Sequence, residues 1–330
     1  MVGGCSRNGG RWRQHPNPTA AQPRMLHPPT LMSFPARRRC RAVTNAFELV
    51  IAPEYILNHG NFSESRRVYI GEMLRLHENK AALNRLIFDQ GRAFMFFTII
   101  TMHAGYRPEE RQTWPTVEAL KQHLEQLGLA SGWRMHDFIR RLSDIGYVEN
   151  LPVDGDRRVK VLRPTEAMLA HDRQTLNVYY RPLQAMFPVP GYCGILQGDP
   201  TFQRAAREIG FSFFAHAQQF ITANPTIAYF LPRQGGMMIL TKLMQLWLQH
   251  GDETWPKVSF VGMGDSFGIS RTHVRKLLME AETVGLVQRR GDAVMVTPEG
   301  RAGFDRYLAD TMAGNDLVYR LALERVAVAA

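Results

Sequence analysis

The sequence predicts a mainly α-helical protein with two small β-hairpins, built as two versions of one domain in a single chain. Three observations carry this. First, residues 131–148 (SGWRMHDFIRRLSDIGYV) and 270–287 (SRTHVRKLLMEAETVGLV) share one apolar pattern at a constant offset, with Ser131 answering Ser270 and Gly146 answering Gly285. The pairs Met135/Val274, Phe138/Leu277, Ile139/Leu278 and Leu142/Ala281 have the spacing of one buried stripe on an amphipathic helix. Second, flanking landmarks recur in the same order. Gln90-Gly91 and Gln234-Gly235 each precede an apolar run, Trp114-Pro115 answers Trp255-Pro256, and Glu166 answers Glu299. The repeat is thus on the order of a hundred residues, the size of a domain. Third, each repeated helix meets a glycine and then two short apolar segments around a turn.

The elements follow in order. Order is expected from about Glu54, with a helix capped by Ser63–Ser65 running to His77 and another from Asn79 to Phe88. Phe94 to His103 is apolar on all sides and predicts a buried helix. Pro108 and Pro115 bracket a loop, and Val117 to Leu127 is amphipathic. Gly128–Ser131 makes a tight turn, with Ser131 capping the helix that Gly146 ends. Tyr147–Asn150 and Val159–Val161 flank a hairpin tip at Asp154–Asp156, and Thr165 opens a further helix. In the second copy, Phe202–Ala223 and Thr226–Leu231 are helical, and Met237–Gln249 is the buried helix. Ser259–Phe267 is the weakest element, since Gly262 and Gly264 each disfavour a helix by about 1 kcal/mol. Ser270–Val284, a hairpin over Leu286–Val296, and helices over 299–311 and 314–327 complete the chain. Pro182, Pro188 and Pro190 mark 172–198 as linker. The expected organisation is therefore a tail over 1–47, a first domain over 50–171 and a second over 199–330.

The 330 residues carry a net charge of +10, and its location matters. Residues 1–47 hold eight arginines and no acid, so the remainder is nearly neutral and the charge alone does not argue that the folded body binds a polyanion. The Gly- and Pro-rich tail is expected to be disordered, either a basic arm or sequence upstream of a start at Met25 or Met32. Three widely spaced cysteines (Cys5, Cys40, Cys193) point to reduced thiols in a cytoplasm. The longest apolar run, Ala93 to Met102, is about half of what a bilayer crossing requires, so no membrane partner is expected.

Helix, tight turn, capped amphipathic helix, glycine and hairpin make a winged helix-turn-helix, whose second helix keeps one stripe on the core and offers its polar face to a DNA major groove. In the first copy that face holds Trp133, Arg134, Asp137, Arg140 and Arg141; in the second it holds Arg271, Thr272, His273, Arg275 and Lys276. Arg157 and Arg158 at the first wing tip suit a narrow minor groove, and Arg289 and Arg290 stand at the base of the shorter second wing. Glu280 and Glu282 repel phosphates, so the second copy is expected to bind more weakly.

The first copy resembles a MarR-type winged helix, a family of bacterial transcriptional regulators. The resemblance rests on Leu142-Ser-Asp-Ile-Gly146-Tyr-Val148 and on the wing from Asp154 through Arg157, Arg158 and Val161 to Thr165. The second copy matches in Gly285-Leu-Val287 and Val294-Met-Val296-Thr-Pro-Glu-Gly300 but has no tip arginine. The resemblance implies a homodimer with two recognition helices and a cleft for a small apolar effector; the duplication then makes one chain a pseudo-dimer of two unequal halves, as a monomer or itself a homodimer. The function this implies is sequence-specific binding of double-stranded DNA in transcription regulation. A plasmid-type replication initiator with tandem winged helices, and a winged-helix protein-interaction module that binds no DNA, remain open. No phosphate loop, nucleophile elbow, carboxylate pair or metal-ligand spacing stands in the sequence, so neither an enzyme nor a cofactor or metal site is expected.

Overall fold

The computed structural model describes residues 51–329 apart from 89, 127–131, 154–155, 214–218 and 220. The basic segment 1–47, the turn before the first repeated helix and the first hairpin tip lie outside them. The described residues are mainly helical, with two small antiparallel hairpins.

The chain runs α1 (Pro53–Leu57), α2 (Phe62–His77), α3 (Ala81–Ile87), α4 (Gln90–Ala104), α5 (Val117–Gln126), α6 (Gly132–Asp144), β1 (Val148–Val153), β2 (Asp156–Pro164) and α7 (Glu166–Met186). Then follow α8 (Cys193–Leu196), α9 (Pro200–Ser212), α10 (Pro225–Phe230), α11 (Gly236–His250), α12 (Phe260–Phe267), α13 (Arg271–Thr283), β3 (Val287–Arg290), β4 (Ala293–Val296) and α14 (Pro298–Ala329). β1 pairs with β2 from Val148 opposite Pro164, with a register shift after Pro152; β3 pairs with β4 from Val287 opposite Val296. Caps explain several starts. Asp199, Asn224, Ser259 and Ser270 each accept a backbone N–H of the first helical turn that follows.

The helices exchange partners across the chain. α1 and α2 pack on α14 and α11, while α8 and α9 pack on α7 and α4; α2 also packs on α7, and α9 on α14. Charge follows the same exchange. Arg66 on α2 meets Asp305 on α14, and Arg207 on α9 meets Asp172 on α7, both at 2.5 Å. Each arginine also lies over an aromatic ring, Trp247 of α11 for Arg66 and Phe97 of α4 for Arg207. The two ion pairs are not equal. Arg207 engages both oxygens of Asp172, which also accepts from Gln203 at 2.7 Å, whereas Arg66 Nε and Asp305 Oδ1 are buried without a partner. Burial raises the Asp305 carboxyl pKa, and Arg66 opposes that shift.

Two apolar cores result. One lies under the first hairpin and joins Phe96, Ile99, Leu120, Phe138, Leu142 and Leu162. The other runs through α2, α7, α11 and α14 and includes the core of the second hairpin unit, Val274, Leu278, Leu286 and Val294.

Two expectations are corrected. Residues 172–198 are not an extended linker: α7 continues through Pro182 to Met186, and α8 follows. Leu176, Val178, Tyr180, Leu183 and Met186 are buried, and Ser65 Oγ donates to the Pro182 carbonyl, so packing holds a helix that a proline alone would interrupt. The helices expected at 299–311 and 314–327 are one helix through Gly314, because Met312, Ala313 and Leu317 are all buried.

Candidate functional site

α6 and α13 have the same length of 13 residues, and each leads into a hairpin. Their apolar stripes are buried as the sequence predicts: Met135, Phe138, Ile139 and Leu142 on α6, and Val274, Leu277, Leu278 and Ala281 on α13. The outward faces differ in how their charges are spent.

On α6, Asp137 accepts from both Arg140 (2.8 Å) and Arg141 (2.7 Å), and Arg140 also reaches Asp144 at 3.0 Å. The two arginines hold the Asp137 carboxyl below its usual range, while Asp137 raises the Arg140 pKa. The side chains of Trp133, Arg134 and Arg157 lie outside the described ones. Arg158 is exposed on β2.

On α13, Ser270 caps the helix through the His273 N–H, and no acid stands in the first turn. Arg271, Thr272 and Arg275 are exposed and make no side-chain hydrogen bond or ion pair among the described residues; Lys276 has Glu280 at 3.8 Å. His273 is not free: its Nε2 donates to the Gln234 carbonyl at 2.8 Å. Arg290 lies 4.0 Å over the Trp255 ring, and Arg289 is half-buried against Glu282.

The turn from α12 into α13 is tight for two reasons. Gly268 has φ +73°, and a Cβ there would collide with the Ala81 backbone of α3. A Cβ at Gly264 would come within 2.7 Å of the Ile269 carbonyl. The two glycines that weaken α12 as an isolated helix therefore include one that its packing requires.

The α10–α11 segment supports α13 from behind. Tyr229 Oη donates to the Leu277 carbonyl at 2.7 Å, and Arg233 stacks on Tyr229 with Glu280 at 3.9 Å. Sequence reasoning missed these partners because about forty or more residues separate them from α13 and nothing local marks the pairing.

Behind this segment lies a pocket of about 150 Å³, walled by Tyr69, His77, Phe96, His171, Tyr179 and Tyr307, with Arg233 and Gly235–Met238 on the other side. The Tyr69 hydroxyl is buried without a hydrogen-bond partner of good geometry. Burial raises the Tyr69 and Tyr179 pKa values far above the phenol range, reinforced by the neighbouring Tyr307. Burial also lowers His77 to about 3 and His171 to about 4, so both rings are neutral; His77 sits against Phe88 and beside His171.

Among the described residues no helix is long and apolar enough to cross a membrane, and no cluster of three or more His, Cys, Asp or Glu is placed to hold a metal ion. No protein-family model, curated protein or solved structure matches the chain.

Proposed function

We propose that the chain is a transcriptional regulator that binds duplex DNA through two winged-helix units, joined in one polypeptide as a pseudo-dimer. One observation carries this reading: the reciprocal exchange in which α1 and α2 pack on α14 and α11 while α8 and α9 pack on α7 and α4. That is the arrangement of an isologous interface folded into one chain. It leaves α6 and α13 as matching helices, each ahead of a hairpin, with charged outer faces. DNA-binding units of this kind read two half-sites spaced by about a helical turn, roughly 34–36 Å.

The expected result is binding to double-stranded DNA that weakens steeply with salt, by roughly 10³-fold between about 50 and 200 mM if some six phosphates are neutralised. A filter-binding titration against sheared genomic fragments checks it. No duplex binding even at low salt sinks the proposal and leaves the protein-interaction module; enrichment of adjacent iterated repeats favours the replication initiator.

The pocket supports the expected apolar effector. A cavity of about its size holds a benzene-sized molecule, and its walls offer neutral imidazole rings and the hydroxyls of Tyr69 and Tyr307. Phenol, uncharged and of that size, should raise Tm, and benzoate should not, because Arg233 is already engaged by Tyr229 and Glu280. Equal shifts from both, or none from phenol at millimolar concentration, count against this occupant.

A further inference from the structure

We infer that α13 is the dominant DNA-reading helix, and that Asp137 is the residue that disarms α6. The inference rests on the DNA-binding reading above and reverses the ranking expected from Glu280 and Glu282.

The N-terminal half of a recognition helix is the part that reaches base edges. On α13 that half presents Arg271, Thr272, Arg275 and Lys276 and no acid. Arg271, in the first turn, opposes the helix macrodipole, and Arg275 and Lys276 stand one turn further along the same half. A row that runs against the local rule at Arg271 and gives neither Arg271 nor Arg275 a side-chain partner among the described residues is expected where an external polyanion supplies the missing charge. The acids of α13 lie in its C-terminal half: Glu280 stands 3.9 Å from Arg233 and 3.8 Å from Lys276, and Glu282 accepts the Arg289 N–H at 2.9 Å, so neither reaches Arg271 or Arg275.

On α6 the position matching Lys276 is Asp137. Its carboxylate stands in the reading half and draws Arg140 and Arg141 onto their own helix. Exposed pairs of this kind are individually weak. The larger effect is therefore the carboxylate itself, which would face phosphate oxygens if α6 entered a groove and would have to be neutralised by the same two arginines that would otherwise contact DNA.

The test uses the full chain and a duplex enriched from a random pool by repeated binding. Arg271→Ala and Arg275→Ala should each weaken binding by roughly 10-fold or more and blur one half-site of the enriched sequence, while Arg140→Ala and Arg141→Ala change it by less than about 3-fold. Asp137→Lys should strengthen binding severalfold and steepen the salt slope; Lys276→Asp should weaken it by roughly 100-fold. All six positions are on exposed or half-exposed helix faces, and an unchanged circular dichroism spectrum separates loss of contact from loss of fold. Arg140→Ala or Arg141→Ala weakening binding as much as Arg275→Ala overturns the inference, as does Asp137→Lys without gain. If no duplex is enriched by the wild-type chain, the DNA-binding reading falls and this inference falls with it; a reversed arginine ranking removes this inference alone.

Discussion

Replacing Asp172 with alanine is expected to cost about 3 kcal/mol, because it leaves a largely buried guanidinium without its counter-charge. Asp172 is fully buried and accepts three hydrogen bonds, two from Arg207 and one from Gln203. Without the carboxylate, Arg207 either stays charged in an apolar site against the Phe97 ring or pulls α9 away from α7. Either route loosens the contact that ties the second half of the chain to the first. The equivalent change at Asp305 is expected to cost less: that carboxylate is more exposed, has one bond from Arg66 and already carries an unsatisfied oxygen. Swapping Asp172 and Arg207 together for apolar residues of similar volume should recover most of the loss. Urea unfolding of the three variants checks the order; an Asp172→Ala cost of under about 1 kcal/mol would show that water reaches the pair.

Acid is expected to destabilise the protein well above the range where carboxylates titrate. In the unfolded chain His77 and His171 take a proton near 6.5; in the folded chain burial holds them to about 3 and about 4. Below pH 6.5 the unfolded state therefore binds protons that the folded state refuses, and stability is lost as pH falls. Above 6.5 both are neutral in both states and contribute no slope. Each pKa unit of difference is worth about 1.4 kcal/mol, so by pH 5 each histidine costs about 2 kcal/mol. The groups that face them work in both directions. Asn84 holds a proton on His77 slightly more firmly and Asp172 does the same for His171, while Lys80 opposes both. Stability measured by urea unfolding should fall between pH 6.5 and 5, and the fall should shrink when His77 and His171 are replaced by leucine. A flat profile over that window would mean that the rings open to water before they charge.

How much of this was legible in the sequence differs by element. The α6 and α13 stripes and both hairpins were, because their signals are local: apolar spacing of a single helix face, a glycine stop and alternating strands. Asp137 also stands three and four residues before Arg140 and Arg141, so its grip on them could have been read from spacing alone. The helix through Pro182 could not, since its warrant is burial against α2, more than a hundred residues away. The pocket was equally hidden. Its walls come from α2, α4, α7, α11 and α14, and the histidines that mark it share no motif.

The exchange of partners also sets an order of events at the ribosome. α1 and α2 emerge early, yet the surfaces that cover them are made much later: the Lys242–Glu78 contact at the end of α2 spans 164 residues, and α14 begins only at Pro298. Synthesis proceeds at roughly 5–20 residues per second, so those first helices wait on the order of ten seconds or longer with an apolar face uncovered. Contacts of such long sequence separation slow folding as well. Until α14 is complete, α1 and α2 lack the cover that α11 and α14 give them in the folded chain.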